Sequence, residues 1–198
     1  MRIVLILWIS LSFLSGLSAQ KKSTKSVQKK DLHMTHRVGE SYGGGIVFYT
    51  YDNGEHGLIA AKEDQAKDIK WYNGVIKLVG VKGDGLGAGM VNTMIAHASQ
   101  MHDNPDSSFA ARVCINYSVT KNGVTYGGWY LPSKYELNLL YKAKKIVGFT
   151  FDTHHSSYYW SSTETASNTA VAQEFIFGNI LSDAGKGDWF CVRAIRSF

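Results

Sequence analysis

The sequence has 198 residues, with 21 basic and 16 acidic side chains and a formal net charge of +5. Six of the basic residues precede the first acid, Asp31, so residues 31–198 carry 15 bases against 16 acids. A domain with so little net charge lacks the basic surface that nucleic-acid binding requires, and we therefore predict no nucleic-acid partner.

Residues 1–19 have the pattern of a secretory signal peptide. Arg2 precedes the apolar stretch "IVLILWISLSFL", and "LSA" before Gln20 supplies the small residues of a cleavage site. This stretch is short for a membrane span, which needs roughly 20 apolar residues, so a cleaved signal is favoured over an uncleaved anchor. The sequence thus predicts export to the periplasm, the cell surface or the extracellular space.

Residues 20–37 form a polar, basic segment between this leader and the domain predicted at residues 38–198. All five of its lysines lie between Lys21 and Lys30. A segment with so few apolar residues buries too little surface to offset its ordering entropy, so we predict a flexible tether. Membrane contact is expected only through these lysines. The alternative is a tether that simply keeps the domain soluble.

Several elements are predicted in the first half of the domain. "GGGIVFYTYDNGEHGLIAAK" has two apolar runs around a glycine-containing turn, which indicates a β-hairpin. "VIKLVGV" is predicted as a strand and "KGDGLGAG" as a loop. The "NG" within "YSVTKNGVTYGG" indicates another hairpin, and "SSFAARVCINY" a short helix. "MVNTMIAHASQM" predicts a helix that carries on one side Met90, Met94, Ile95, Ala98 and Met101.

A rigid corner between a loop and a helix is predicted in "GGWYLPSKYELNLLYKAKK". Ser133 and Glu136 have the spacing of a capping box, in which each side chain accepts a hydrogen bond from the other residue's backbone N–H. Pro132 keeps the helix from starting earlier, and Gly128 lets the incoming chain turn before Trp129. No nucleophile motif accompanies this turn, so we interpret it as architectural.

The last part of the chain is rich in β-branched and aromatic residues. "YYWSSTE", "AVAQEFIFG" and "WFCVRAIRSF" are predicted as strands, separated by the turn-rich pieces "TASNT" and "NILSDAGKGD". Two helices followed by a run of antiparallel strands indicate an α+β fold, not a parallel α/β sheet.

The two cysteines are Cys114 and Cys191. An even cysteine count in an exported chain favours a disulfide between them. The alternative is a pair of buried free thiols.

The motifs also resemble those of a known family. "GGGIVFY", "GLGAGMVNT", "FAARVC", "GGWYLPSKYELNLLY", "YYWSSTE" and "VRAIR" occur in the same order in an exported bacterial domain family, typified by the C-terminal domain of the Legionella collagen-like protein. The resemblance covers residues 43–198. It implies a C-type-lectin-like fold, with two or three helices packed on antiparallel strands and hairpins. Members are surface or envelope modules, and the namesake domain is an adhesin that binds sulfated polysaccharide.

Two departures from the family pattern limit what the resemblance implies. Many relatives carry the late cysteine at the position of Ala194, whereas it stands here at Cys191. Residues 1–37 contain no collagen-like repeat, so the namesake's trimerising stalk is not carried over.

Neither a cofactor nor a metal site is predicted. Gly83, Gly85 and Ala88 match part of a dinucleotide-binding motif, but no parallel βαβ repeat follows them. His97 and His102 are five residues apart, not the four that would place both rings on one face of a helix. No catalytic nucleophile with its base is recognisable, so we do not expect an enzyme.

The ligand surface is predicted in the late aromatic and polar segment, because aromatic faces stack on sugar rings and flanking charges orient their hydroxyl or sulfate groups. Its candidate residues are Tyr158, Trp160, Glu164, Lys186, Asp188 and Trp189. The predicted function is a non-catalytic, secreted or envelope-associated binding or adhesion module that recognises a glycan or a glycan-bearing surface. Two alternatives stay open: a structural component of a cell-envelope assembly that binds protein, and an enzyme with an unrecognised site.

Overall fold

The computed structural model describes residues 34–151 and 154–198. The predicted signal peptide, at residues 1–19, and the tether residues up to 33 lie outside the described residues. The last residues of the predicted tether already belong to the fold. His36 is buried, its ring stacks on Tyr42 with centroids 3.7 Å apart, and its backbone N–H donates to the Gly54 carbonyl at 2.8 Å. The folded region therefore begins before the predicted boundary at residue 38.

The first sheet has four antiparallel strands in the order β1-β2-β3-β11. Their bounds are Ser41–Tyr42, Gly45–Tyr51, His56–Ala60 and Ile195–Ser197. Strands β2 and β3 form the predicted hairpin, with a short 3₁₀ turn at Asp52–Gly54 between them. Gly45 is required where the strands meet, since a Cβ atom there would lie 2.1 Å from the Ala60 carbonyl oxygen.

The second sheet has five strands in the order β4-β10-β7-β8-β9. In chain order these strands span Ala66–Ile69, Tyr158–Glu164, Thr169–Glu174, Ile180–Gly185 and Phe190–Val192. The pairing is antiparallel except between β10 and β7, which run parallel at Cys191 and Tyr159. A separate hairpin, β5 and β6, spans Val119–Lys121 and Val124–Tyr126 around the predicted Asn-Gly turn.

Four helices complete the described fold, which is therefore of the α+β class as predicted. They are α1 (Ala88–Asp103), α2 (Ala110–Ile115), α3 (Lys134–Lys142) and α4 (Lys144–Val147). Helix α4 ends at Gly148, whose φ of +83° lies in the left-handed region that glycine adopts without strain. Across residues 34–151 and 154–198, no helix combines the length and the hydropathy of a membrane span.

The inner strands β3, β7 and β8 are buried along most of their length, and the interior is divided into two apolar clusters. Val47 and Trp160 belong to the cluster that includes α1 and α2, whereas Phe48 and Tyr159 belong to the cluster under α3 and α4. Successive residues of one strand thus enter opposite clusters. This explains why β7, "YYWSSTE", is almost continuously buried where a half-exposed strand would alternate.

Two predictions of secondary structure are wrong. "VIKLVGV" is not a strand, because the N–H groups of Val79 and Gly80 donate to the Glu164 side chain and the Val81 carbonyl accepts from the Glu164 backbone. Strand β9 was not expected within "NILSDAGKGD". It lies at the end of the five-stranded sheet, and its composition, with asparagine, aspartate and glycines, is typical of a turn.

The predicted disulfide does not form. Cys114 and Cys191 are free, buried thiols, and they lie in different apolar clusters. The Cys191 Sγ donates to the carbonyl oxygens of Lys67 and Ser156, both at 3.1 Å. Burial raises the pKa of the Cys191 thiol to about 12 and also raises that of Cys114. Both positions are thus filled by buried protonated thiols.

Neither cysteine is expected to react with a thiol reagent while the protein is folded. Only the thiolate is nucleophilic, and burial both blocks access and keeps the proton on sulfur. Iodoacetamide at pH 8 should label no cysteine in the native protein and both in urea without reductant, as counted by mass spectrometry. If urea exposes no thiol until a reductant is added, the two cysteines are bridged and the structural assignment is wrong.

Candidate functional site

The predicted corner is present. Gly128 has a φ of +73°, and Trp129, Pro132 and Ser133 behind it are buried. The Ser133 hydroxyl accepts from the Glu136 N–H at 3.2 Å, and the Glu136 carboxylate accepts from the Ser133 N–H at 2.8 Å. These two bonds form the capping box at the start of α3.

The Glu136 carboxylate also joins this corner to α1. It accepts hydrogen bonds from the backbone N–H groups of Gly87 and Gly89, at 2.8 and 3.2 Å, and from the Tyr130 hydroxyl at 3.1 Å. Burial raises the pKa of Glu136, while the donors around it act in the opposite direction. The role of Glu136 is thus structural and wider than the local cap: it fixes the start of α1 against the start of α3.

We predicted that Glu164 and Lys186 contact a ligand, but this is wrong, because the two form a buried ion pair. The Lys186 Nζ lies 2.5 Å from the Glu164 Oε1, and 2 % or less of each side chain is exposed. The Glu164 carboxylate also accepts from the N–H groups of Val79 and Gly80 at 2.7–3.0 Å. Burial lowers the pKa of Lys186, and the neighbouring Glu164 partly opposes this effect.

The remaining donors of Lys186 hold two loops together. Its Nζ donates to the carbonyl oxygens of Lys77 at 3.0 Å and Ser167 at 2.8 Å, and it lies 4.7 Å from the ring centroid of Trp71. The ion pair thus connects the segment around residues 77–80, the β7–β8 turn and the turn that begins at Gly185. We call this set of contacts the Glu164–Lys186 network.

Asp188 and Trp189 lie on the turn between β9 and β10 that this network holds. The Asp188 carboxylate accepts from the Gly185 N–H at 3.0 Å, and the Asp188 N–H donates back to the Gly185 carbonyl at 2.8 Å. Trp189 is 58 % exposed, and the Lys70 Nζ lies 5.1 Å from its ring centroid. This hydrogen-bonded turn therefore presents an indole ring to solvent, with the Lys70 cation over one face of the ring.

The other two aromatic candidates are not free for a ligand. Trp160 is fully buried, and its indole N–H donates to the Ile69 carbonyl at 2.8 Å. Tyr158 is half-buried and stacks on Phe190, with ring centroids 5.1 Å apart. The prediction of Trp160 as a ligand residue is therefore wrong, because it is a core residue. Tyr158 packs on Phe190, the first residue of β10, next to Trp189.

A polar groove of about 400 Å³, which the sequence did not indicate, lies between β4 and α2. Its lining combines carboxyl, amide, guanidinium and phenol groups from Glu63, Asp64, Gln65, Ser108, Arg112, Val113, Asn116 and Tyr117. Two segments far apart in sequence build it, so no local motif could have revealed it. Part of the lining is already engaged. Arg112 donates to the Ser107 carbonyl at 2.6 Å, and Asp64 accepts from Arg193 at 2.6 Å.

No group of three or more His, Cys, Asp or Glu residues within 34–151 and 154–198 is arranged to hold a metal ion. The most buried titratable groups, Glu136, Glu164 and Lys186, are occupied by the contacts described above. The surface groups best placed to meet a ligand are therefore Trp189 with Lys70 and Asp188, and the polar groove.

Comparison with known proteins finds a structural likeness but no family match. No protein-family model matches the chain, and no curated protein matches it. Among solved structures, a fimbrial protein from Bacteroides ovatus ATCC 8483 is similar over 70 % of this chain, with 16 % sequence identity and a TM-score of 0.49. The matched region covers 35 % of that protein, so this chain spans about a third of its length.

Proposed function

We propose that this chain is a non-catalytic, exported binding module of C-type-lectin-like fold, and that it recognises a glycan through Trp189. The observation that carries the proposal is the indole ring of Trp189, which is 58 % exposed. It lies on a turn that is held by hydrogen bonds of Asp188 and Lys186. The order of motifs shared with the Legionella collagen-like family supports the same assignment. The signal-peptide pattern of residues 1–19 supports export to the periplasm, the cell surface or the medium.

The chemistry around Trp189 suits a sugar. The face of an indole ring packs on the C–H groups of a pyranose, and a ring fixed in advance loses little entropy when it binds. Lys70 stands at the ring and can donate hydrogen bonds to hydroxyl or sulfate oxygens. No bond of the ligand is made or broken in this scheme, since binding needs only the ring face and the donors beside it.

Replacement of Trp189 by alanine should weaken glycan binding roughly tenfold or more, because the stacking face is lost. The measurement is retention of the full chain on an array of neutral, sulfated and acidic oligosaccharides, followed by titration with the best of them. Phe177→Ala is the matched control, since it removes another exposed ring, 80 % accessible, from a different turn. The control should bind like the original protein.

The same titration at low and high salt separates two sources of binding. Stacking on Trp189 depends weakly on ionic strength, whereas attraction to the lysines of residues 20–37 is screened. Binding that high salt abolishes and that Trp189→Ala leaves unchanged would move the ligand contact to the tether. If no oligosaccharide is retained at either salt concentration, glycan recognition is wrong.

A structural role in an envelope assembly is the second candidate function, and one observation favours it. Helix α1 turns an apolar face outward, with Val91 56 % and Met94 61 % exposed. Surfaces of this kind mark protein contacts more often than sugar contacts.

A further inference from the structure

Helix α1 is oriented opposite to the usual amphipathic pattern. The side that packs against the protein consists of small and polar residues, namely Gly89, Asn92, Thr93, Ala96 and Gln100. The side that carries most of its large apolar residues faces outward, and there Met90, Val91, Met94 and Ile95 are 36, 56, 61 and 46 % exposed. The sequence predicted Met90, Met94, Ile95, Ala98 and Met101 on one side of this helix; the structure exposes the first four, whereas Met101 is half-buried against the first apolar cluster.

Hydrogen bonds fix α1 in this orientation. The Asn92 side chain donates to the Gly83 carbonyl at 2.8 Å, and the Thr93 hydroxyl donates to the Gly89 carbonyl at 2.6 Å while accepting from the Leu131 N–H at 3.0 Å. At the other end, the Gln100 side chain accepts from the Asn73 N–H at 2.8 Å. Rotation of the helix to bury its apolar stripe would break the bonds to Gly83, Leu131 and Asn73, which lie outside the helix. The outward stripe is therefore a stable feature of the fold.

The apolar surface continues beyond the helix. Lys77 donates to the Ser99 carbonyl at 3.1 Å and pairs with Asp103, which places its neighbours Ile76 and Leu78 beside α1. Ile76 and Leu78 are 64 and 57 % exposed. Together with Val75, Leu86 and the stripe of α1, these side chains present on the order of 700 Å² of apolar surface. The largest such patch on a typical monomer is roughly 300–600 Å².

A cavity of about 440 Å³ opens on the other side of the stripe. It is lined mainly by apolar groups from Met90, Thr93, Met94, His97, Ile115, Gly128, Trp129 and Tyr130. Burial lowers the pKa of His97, and Arg112 adds to this effect, so both favour the uncharged ring in the cavity. The stripe and the cavity can accept apolar side chains from a partner.

We infer that the α1 face, defined by Leu86, Met90, Val91, Met94 and Ile95, is the interface of a symmetric homodimer in which two α1 helices pack antiparallel. Two copies of the wider patch, which adds Val75, Ile76 and Leu78 to this face, would bury on the order of 1,400 Å², which falls within the roughly 1,200–2,000 Å² of stable interfaces. A self-complementary patch is what a two-fold interface requires, since each copy contributes the same surface.

The charges around the face fit this arrangement. Residues 88–102 contain no Lys, Arg, Asp or Glu, so two copies of the helix can meet without like-charge repulsion. Lys82 precedes the helix and Asp103 ends it. Antiparallel packing therefore brings the Lys82 end of one copy to the Asp103 end of the other, and the two helix dipoles oppose each other favourably. Lys77 and Asp84 give the rim both signs of charge, which suits a protein partner better than an anionic lipid surface.

Sedimentation equilibrium of the full chain tests the interface. The original protein should be a dimer at micromolar concentration, and Val91→Glu or Ile95→Glu should each weaken dimerisation at least a hundredfold, because a buried unpaired carboxylate faces its own copy across the axis. Val124→Glu is the matched control: Val124 is 50 % exposed on β6, away from α1, so this variant should remain dimeric. Circular dichroism checks that all three variants fold.

Cysteine cross-linking tests the antiparallel geometry. Met94 lies near the middle of α1, so Met94→Cys should meet its own copy at the axis and give a disulfide-linked dimer on mild oxidation, whereas Val124→Cys should not. The native thiols do not interfere, because both are buried.

A monomeric original protein, dimers that survive the glutamate variants, or absence of a Met94→Cys cross-link would each overturn the inference. Co-flotation of a monomer with neutral lipid vesicles, lost in Ile95→Glu, would assign the face to a membrane. Because the α1 face and Trp189 are separate, glycan binding by the glutamate variants is expected to be unchanged.

Discussion

Replacement of Lys186 by methionine is expected to destabilise the protein by roughly 3–5 kcal/mol. The substitution keeps most of the side-chain volume but leaves the Glu164 carboxylate buried without its cation, and it removes the donors to the Lys77 and Ser167 carbonyl oxygens. A buried charge without a partner is strongly destabilising even where the intact pair contributes little net stability. Urea unfolding followed by tryptophan fluorescence measures the change.

Coupling between the two residues distinguishes this explanation from simple loss of packing. The double variant Glu164→Gln with Lys186→Met should be more stable than Lys186→Met alone, because glutamine carries no charge and its oxygen can still accept from the Val79 or Gly80 N–H. Lys145→Met, at an exposed position of α4, is the matched control and should change stability by less than about 0.5 kcal/mol. If Lys186→Met lowers the free energy of unfolding by less than about 1 kcal/mol, the ion pair does not stabilise the fold as the structure indicates.

The sequence predicted well what short-range patterns determine. The capping box at Ser133 and Glu136, the turn at Asn122-Gly123 and the β2–β3 hairpin each depend on residues within a few positions of one another, so their spacing alone identifies them. Long-range structure was harder to predict. Glu164 and Lys186 were assigned to a ligand surface because they flank the late aromatic residues, and nothing near them in sequence indicates the backbone groups of residues 77–80 that surround them.

The case of α1 shows the limit of periodicity. Its apolar spacing predicted a helix at the right place, but a period identifies only which residues share a side. Which side faces the protein depends on partners elsewhere in the chain, here the carbonyl of Gly83 and the backbone of Leu131 and Asn73. A stripe of methionine, valine and isoleucine can equally face a core or a second protein chain.

Trp189 and the polar groove also differ in whether residues close in sequence could predict them. Trp189 was expected at the surface because glycine and aspartate precede it, which is a local signal, and the structure exposes it. The groove between β4 and α2 brings Glu63 and Gln65 to Arg112 and Asn116 across some fifty residues of chain. In addition, β4 itself is too short and polar to be recognised as a strand.

Loss of the Glu136 carboxylate should be as damaging as loss of Lys186. In Glu136→Ala the N–H groups of Gly89 and Ser133 and the Tyr130 hydroxyl lose their acceptor at a buried position, and the N–H of the exposed Gly87 loses its acceptor as well. An unsatisfied buried donor costs about 1–3 kcal/mol, so with partial relaxation we expect a loss of roughly 3–5 kcal/mol in the free energy of unfolding.

Graded substitutions show whether Glu136 acts as a local cap or as a connection between helices. Ser133→Ala removes the local cap of α3 and one hydrogen bond to the Gly85 carbonyl, but it leaves the bonds of Glu136 to Gly87 and Gly89 in place, and it should cost about 1 kcal/mol. Glu136→Gln retains one acceptor oxygen but turns N–H donors toward other donors, so its cost should lie between that of Ser133→Ala and that of Glu136→Ala. Glu63→Ala, at an exposed position, is the control for losing a glutamate and should be nearly neutral.

Because the Gly87 and Gly89 N–H groups belong to the first turn of α1, native-state hydrogen exchange should also accelerate there in Glu136→Ala but not in Ser133→Ala. Equal costs for Glu136→Ala and Ser133→Ala, without faster exchange in α1, would reduce Glu136 to an ordinary capping residue and assign the position of α1 to its other contacts.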